Sequence, residues 1–235
     1  MRRTVAWVST RRKVLSVAAS AGALSLCVGV ALAASVSCDG GGVECTGTNN
    51  PDEITGSSER DVIFAKKGND GVNARDGRDD VFGQGGSDLA ELDGGNGDDR
   101  IYGGVGRDLL RELDTSGRDE MYGEEGDDFL IAGGLEGDFL YGGPGDEQFG
   151  PTTPGMYGDE GADRIYGGPG NDGIEGEEGV DRMFGGRGND YIDAVTDDPG
   201  DTEDIVRCGR GNDDTVIYDP AEDDVDLDSC ENQVP

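Results

Sequence analysis

One apolar residue returns every nine positions along most of this chain, and the places between are filled largely by glycine and acid. The clearest copies are Gly94 to Tyr102, Gly103 to Arg111, Gly167 to Glu175, Gly176 to Phe184 and Gly185 to Asp193. Each is glycine-rich at its start, with aspartate at the sixth place and an apolar residue at the eighth. A unit this short cannot bury its own apolar side chain, so the pattern predicts a stacked array. The glycine-rich places permit positive φ and close backbone approach and form a turn. The last three places form a short strand with its central residue inward. Two turns and two strands close a flattened coil of about 18 residues, and coils stack at the strand spacing of about 4.8 Å. The predicted fold is all-β, a parallel β-roll of roughly eight coils.

Counted in nines, turns begin at Gly47, Gly56, Ala65, Ala74 and Gly83, then at Gly94, Gly103, Asp114, Gly123, Gly133 and Gly142. They resume at Gly158, Gly167, Gly176 and Gly185 and end with weaker copies at Pro199 and Cys208. The eighth places carry Ile54, Ile63, Val72 and Val81, then Ile101, Leu110, Met121, Leu130, Leu140 and Phe149, then Ile165, Ile174, Met183 and Ile192. Extra residues follow the fifth turn (Leu92, Asp93), the seventh (Glu112, Leu113), the ninth (Ala132), the eleventh (Pro151 to Tyr157) and the fifteenth (Ala194 to Asp198). All are odd-numbered turns. Successive turns alternate between two edges, so these insertions are expected to project from one edge and to mark a binding face.

Charge changes the picture. The chain of 235 residues carries 52 acidic and 19 basic residues, a net charge of −33. From residue 34 onward all 52 acidic residues face 14 of the 19 basic ones, a net charge of −38. Such a surface repels nucleic acid and anionic membrane and attracts cations. With a core only one residue wide per strand, the chain is expected to stay open until a counter-charge arrives.

Residues 1–33 are read as a signal peptide. Arg2, Arg3, Arg11, Arg12 and Lys13 lead into an uncharged stretch, Val14 to Ala33, that ends in Ala31-Leu32-Ala33. Thr10 to Leu15 also resembles a twin-arginine signal, whereas folding that waits for a counter-charge outside the cell suits the general secretory route. Removing the leader removes Trp7 and Cys27 and leaves no membrane span. Cys38, Cys45, Cys208 and Cys230 remain. Four cysteines in an exported chain suggest two disulfides with three possible pairings, and their places at the two ends of the array favour Cys38 with Cys45 and Cys208 with Cys230. The expected organisation is a signal peptide at 1–33, an N-terminal disulfide cap at 34–46, the roll at 47–216 and a C-terminal cap at 217–235.

The sixth places carry the chemistry. On stacking, carboxylates of turns two apart align along one edge, beside glycine carbonyls left accessible by the absence of side chains. About six oxygen donors of mixed carboxylate and carbonyl type, without nitrogen or sulfur, suit a hard cation of calcium's size. The competing reading is that these aspartates cap turns through local hydrogen bonds. The candidate ligands are Asp52, Asp61, Asp79, Asp88, Asp99, Asp108, Asp119, Asp128, Asp138, Asp163, Asp172, Asp181 and Asp190. With them go the carbonyls of Gly95, Gly97, Gly104, Gly106, Gly168, Gly170, Gly186 and Gly188. Asp70, Glu147, Asp204 and Asp213 also fall at sixth places. The turns of Asp70 and Glu147 depart from the pattern, through Lys66 and Lys67 and through Glu in place of Asp, and none of the four is placed in the ligand set.

The phrase Gly-Gly-x-Gly-x-Asp-x-apolar-x resembles the hemolysin-type (repeats-in-toxin, RTX) calcium-binding repeat over about residues 47 to 216. The resemblance implies a parallel β-roll, several Ca2+ ions held between stacked turns, and a chain disordered until calcium binds. The ending from Cys208 to Asp213, with Val216, Asp219 and Cys230, is similar to the terminal cap of secreted members. Asp76, Glu124, Asp159 and Glu177 stand where glycines are expected.

Catalysis is not expected. The chain has no histidine, so no imidazole base, zinc-protease helix or Ser-His-Asp triad is available. Tyr102, Tyr122, Tyr141, Tyr166 and Tyr191 lie at or near ninth places and are expected to cover strand faces rather than stack on sugars. The functional expectation is an exported, extracellular or envelope-associated calcium-binding protein. Its alternative is a calcium-dependent module that binds a cell-surface glycan or protein through the insertion-bearing edge.

Overall fold

The computed structural model describes residues 34–38, 44–112, 116–148, 150, 153–195, 203–220, 223–226 and 229–235. The leader expected at 1–33 lies outside the described residues. So do Phe149 and much of the expected insertions at 113–115, 151–152 and 196–202.

Apart from Glu160–Gly161 and Glu178–Gly179, which pair in a small sheet of their own, successive strands alternate between two parallel sheets, as a chain with one inward residue per nine-residue unit requires. An eleven-stranded sheet runs from Ala34–Ser37 to Asn232–Val234, and a ten-stranded sheet from Glu44–Thr46 to Asp224–Val225. No helix occurs among the described residues, and so none there is long and apolar enough to cross a membrane. The segments 34–46 and 217–235 each contribute a strand to both sheets, which makes the stack longer than the nine-residue count implies.

Parallel register lines up the inward residues. Ile101, Met121, Leu140, Ile165, Met183 and Val206 form one row. Ile54, Val72, Leu92, Leu110, Leu130, Met156, Ile174, Ile192 and Val216 form the other. All are buried, and together they make the core. Two disulfides close its ends, Cys38–Cys45 and Cys208–Cys230, with all four cysteines buried. Beyond the second, Gln233 pairs with Val216 and offers no further apolar surface.

Glycine is required most strictly at the fourth place, which it fills in most turns, although Glu136 stands there in the turn from Gly133. A Cβ on Gly97 or Gly106 would stand 1.5 or 1.4 Å from the carbonyl oxygen of Gly77 or Gly86 in the previous coil. Both residues also hold positive φ, 140° and 144°. In the first two turns Asn50 and Glu59 occupy this place, where no full turn of the pattern precedes them. At the second place the structure tolerates Lys66, Arg75, Gln84, Glu124, Asp159 and Glu177 at positive φ. Arg75, not Asp76, is therefore the residue standing for a glycine in its turn; Asp76 sits one place on and bridges to Asn96.

The insertions differ from expectation. Leu92 is a core residue, and Leu89 and Ala90 are the extra pair. Met156 fills the inward place counted to Phe149, so the longer excursion is 148–154. Glu112, Ala132 and Ala194 each follow a strand directly, with backbone N–H groups bonded to Ile131, Tyr157 and Ile217 of the next coil. The first two excursions thus leave beside Asp88 and Glu147 on one edge, and the other three precede Asp119, Asp138 and Asp204 on the opposite edge. The expectation of a single insertion-bearing edge is overturned. The shared feature is the eleven-stranded sheet, which all five flank, and the physical reason is that the apolar residue, not the glycine count, selects the inward place.

Candidate metal centre

Two carboxylate ladders run along the stack. One edge carries Asp52, Asp70, Asp88, Asp108, Asp128, Glu147, Asp172, Asp190 and Asp214; the other carries Asp61, Asp79, Asp99, Asp119, Asp138, Asp163, Asp181 and Asp204. All are buried. Past the first rung of each ladder the aspartates are built the same way: Oδ1 accepts the backbone N–H of the corresponding residue one coil earlier. Asp79 accepts from Asp61 at 2.6 Å, Asp119 from Asp99 at 2.7 Å and Asp190 from Asp172 at 3.0 Å.

The second oxygen is different. Oδ2 of Asp70, Asp79, Asp88, Asp99, Asp108, Asp128, Asp138, Asp163, Asp172, Asp190 and Asp214 is enclosed and has no hydrogen-bond partner, and neither has either oxygen of Glu147. A buried acceptor without a partner is costly, and a buried charge more so. Burial accordingly pushes the Asp99 carboxyl up to about 8, opposed by the Asp79 N–H and assisted by the charges of Asp119 and Asp79. Burial likewise raises Asp163 to about 9 and Asp190 to about 8.

A cradle faces these oxygens. A Cβ on Gly103 would lie 2.8 Å from Asp108 Oδ2 and 2.8 Å from the carbonyl oxygen of Gly123 in the next coil. A Cβ on Gly158 would lie 2.6 Å from Asp163 Oδ2 and 2.5 Å from the Gly176 carbonyl oxygen. The absent side chain leaves room bounded by a carboxylate and a carbonyl, hard oxygen donors of the kind calcium takes. Among the described residues no three acidic or cysteine side chains converge on one point. A cation held here would therefore take much of its coordination from backbone carbonyls.

The sequence placed most of these residues. Its thirteen aspartates all stand on the ladders, but Asp52 and Asp61 at the first rungs differ in environment. Asp52 accepts from the Thr48 backbone and hydroxyl, and Asp61 Oδ2 from both groups of Ser57, the turn-capping arrangement, although Asp61 Oδ1 stays enclosed without a partner. Asp70, Glu147, Asp204 and Asp214 are rungs that the ligand set omitted. Asp214, not Asp213, is the buried residue, because an extra residue between Cys208 and the strand shifts the phase by one. The carbonyls seen beside the orphaned oxygens belong to first-place residues such as Gly103, Gly123, Gly176 and Gly185. Gly95, Gly104, Gly168 and Gly186, named at second places, hold positive φ and shape the turn. Gly97, Gly106, Gly170 and Gly188, at fourth places, make the close approach to the previous coil.

One position breaks the pattern. Glu112 occupies a first place, is 2% exposed and accepts the N–H groups of Gly94 and Gly95 at 2.9 and 3.0 Å. Burial, with Asp119, Asp93 and Asp99 nearby, pushes its carboxyl well above the usual range. Sequence counting read Glu112 as an insertion; its acidity was the available signal.

The aromatic residues form a ladder of their own on the outer face of the ten-stranded sheet. Phe64, Phe82, Tyr102, Tyr122, Tyr141, Tyr166 and Phe184 stack ring on ring at 4.7 to 5.2 Å. Ring faces are turned to one another, which leaves edges rather than platforms for a sugar. Tyr191 belongs to the other sheet.

Comparison with known families finds the RTX calcium-binding nonapeptide repeat (four copies) at residues 46–81, 55–90, 91–110, 114–136 and 157–192, more than half of the chain. No curated protein matches the chain. The parallel roll, the sixth-place carboxylates and the glycine cradles agree with that match, and the chain belongs to the family of RTX calcium-binding repeat proteins.

Proposed function

We propose that this protein is exported and folds on meeting extracellular calcium, and that its role, structural or envelope-associated, is carried by the folded acidic rod. The observation that carries this reading is the recurrence of enclosed, partnerless Oδ2 atoms along both ladders, of which those of Asp88, Asp108, Asp128, Asp163, Asp172 and Asp190 face a glycine cradle. The ligands proposed are the rungs from Asp70 and Asp79 onward, with first-place carbonyls. Calcium binds the folded form only, so folding and binding are linked by mass action and spread cooperatively between neighbouring coils. Extracellular modules bind calcium at about 10⁻⁴ to 10⁻³ M, which keeps the chain open inside the cell and folded outside. Two disulfides suit an oxidising compartment. The test is far-UV circular dichroism of the oxidised chain from residue 34 onward during a calcium titration, with magnesium as control. A coil-to-strand transition near millimolar calcium, absent with magnesium, supports the reading; full strand signal in excess chelator refutes it.

A second reading, a calcium-dependent module for a cell-surface protein or glycan, is favoured by one observation. Leu89 and Thr153, one from each of the two excursions on that edge, help to line an apolar cleft of about 390 Å³ on the eleven-stranded sheet, with Arg107, Leu109, Phe129 and Tyr157. Pull-down against cell-wall material with and without chelator, repeated with Phe129→Ser, separates the two readings. Retention that needs both calcium and Phe129 favours the module, and no retention favours the rod.

A further inference from the structure

We infer that Glu112 creates a cation site of higher charge than its neighbours, in which a side-chain carboxylate stands where the repeat supplies a backbone carbonyl, and that this site is the first on its edge to take calcium. The inference rests on the calcium-binding reading above and concerns a residue that falls between the matched segments 91–110 and 114–136.

The regular cradles set the comparison. At Gly103, Gly123, Gly158 and Gly185 the space a Cβ would fill is bounded by the ladder carboxylate of the same turn and the first-place carbonyl of the next coil. At Gly94 the second neighbour is Glu112 Oε1, 2.4 Å from that Cβ position, with Asp99 Oδ2 at 2.9 Å. Two carboxylate oxygens from different turns thus face one small cavity. Asp99 is 1% exposed and its Oδ2 has no partner, so an unsatisfied acceptor is aimed into the same space. Glu112 is held in place by the N–H groups of Gly94 and Gly95. Asp93 Oδ1 also accepts the Gly95 N–H, at 3.1 Å, while its Oδ2 is held by Asn73. Glu112 and Asp99 therefore match the charge of a divalent cation within one cavity, whereas a regular cradle offers one carboxylate. Ligand charge count is a main determinant of calcium affinity in oxygen sites.

The test is equilibrium dialysis with calcium, together with a calcium titration followed by circular dichroism, on the oxidised chain from residue 34 onward. The variants are Glu112→Gln and Glu112→Ala. Alanine is the safer one, because Ala74 and Ala132 occupy first places without disturbing the sheets. The expected result for both is loss of the tightest class of bound calcium, by about tenfold or more in affinity, with the same strand signal at saturating calcium. If the parent chain binds calcium and Glu112→Ala binds it with the same tightest affinity, the inference falls. If the parent chain binds no calcium, the reading beneath it fails instead. Should Glu112→Gln not fold, Glu112→Ala decides alone.

Discussion

Oδ1 of Asp163 accepts the backbone N–H of Asp138 at 2.7 Å, while Oδ2 of the same enclosed carboxylate has no partner. This half-satisfied state recurs at most aspartate rungs between Asp70 and Asp214 and is what separates the ladder from a row of turn caps. A cap uses its side chain within its own turn, as Asp52 does with Thr48. The ladder aspartates instead join one coil to the next, and Asp88, Asp108, Asp128, Asp163, Asp172 and Asp190 keep a second oxygen directed at a glycine cradle. A divalent cation satisfies that oxygen and removes the repulsion along the ladder together, which a proton does only by giving up the charge.

The distinction between ligand and cap is measurable. Asp163→Asn keeps the acceptor for the Asp138 N–H but removes the charge, so it is expected to lower the number of bound calcium ions and raise the calcium needed for folding. Asp52→Asn at the first rung is expected to leave the ion count unchanged, with an effect on stability within about 1 kcal/mol. Equilibrium dialysis of the two variants checks both statements. Equal ion counts for the two would mean that the orphaned oxygens are not ligands.

Two glycines separate close approach from mere flexibility. Gly106→Ala places a methyl group on the Gly86 carbonyl oxygen at positive φ and is expected to destabilise the calcium-loaded roll by about 3 kcal/mol or more. For Gly85 the nearest atoms to a Cβ lie at 3.9 Å, and Gly85→Ala is expected to be neutral or slightly stabilising. Urea unfolding in saturating calcium measures the difference.

Protons are expected to act as weak substitutes for calcium. Burial raises Asp99, Asp163 and Asp190 from an ordinary value of 3.8 to about 8, 9 and 8. A carboxyl whose folded value is raised binds its proton more tightly in the folded chain. Its contribution to metal-free folding is therefore fully present below about pH 4, and is lost as pH rises through 8 to 9. Calcium-free circular dichroism from pH 4 to pH 9 checks this. Strand signal that grows with pH would contradict the sign.

The aromatic ladder is expected to be structural. Tyr122 stacks between Tyr102 at 4.9 Å and Tyr141 at 5.2 Å. Removing its ring with Tyr122→Ala interrupts two contacts and is expected to cost about 2 kcal/mol. Thermal unfolding in saturating calcium reads this. Retention on cell-wall material, measured in parallel, is expected not to change.

The sequence by itself determined the roll. A nine-residue period with one apolar place and one acidic place dictates stacked turns, two rows of inward residues and a carboxylate ladder on each edge, because the period sets how often the chain returns to the same face. Within unbroken stretches, as from Gly158 to Asp193, both the inward residue and the rung were legible at each turn. Where the phase slips, only the tertiary structure decided. Leu92 rather than Ala90 entered the core, Met156 filled the place counted to Phe149, and Asp214 rather than Asp213 became a rung. The same pairing drew 34–46 and 217–235 into the sheets, distributed the insertions over both edges and set Glu112 against the Gly94 cradle. The physical reason is the range of the interaction. A residue's place is fixed by parallel register with the coil before and the coil after, 18 to 25 residues away along the ladders. A local count carries phase only as far as the next irregular turn, whereas stacking restores it across the break.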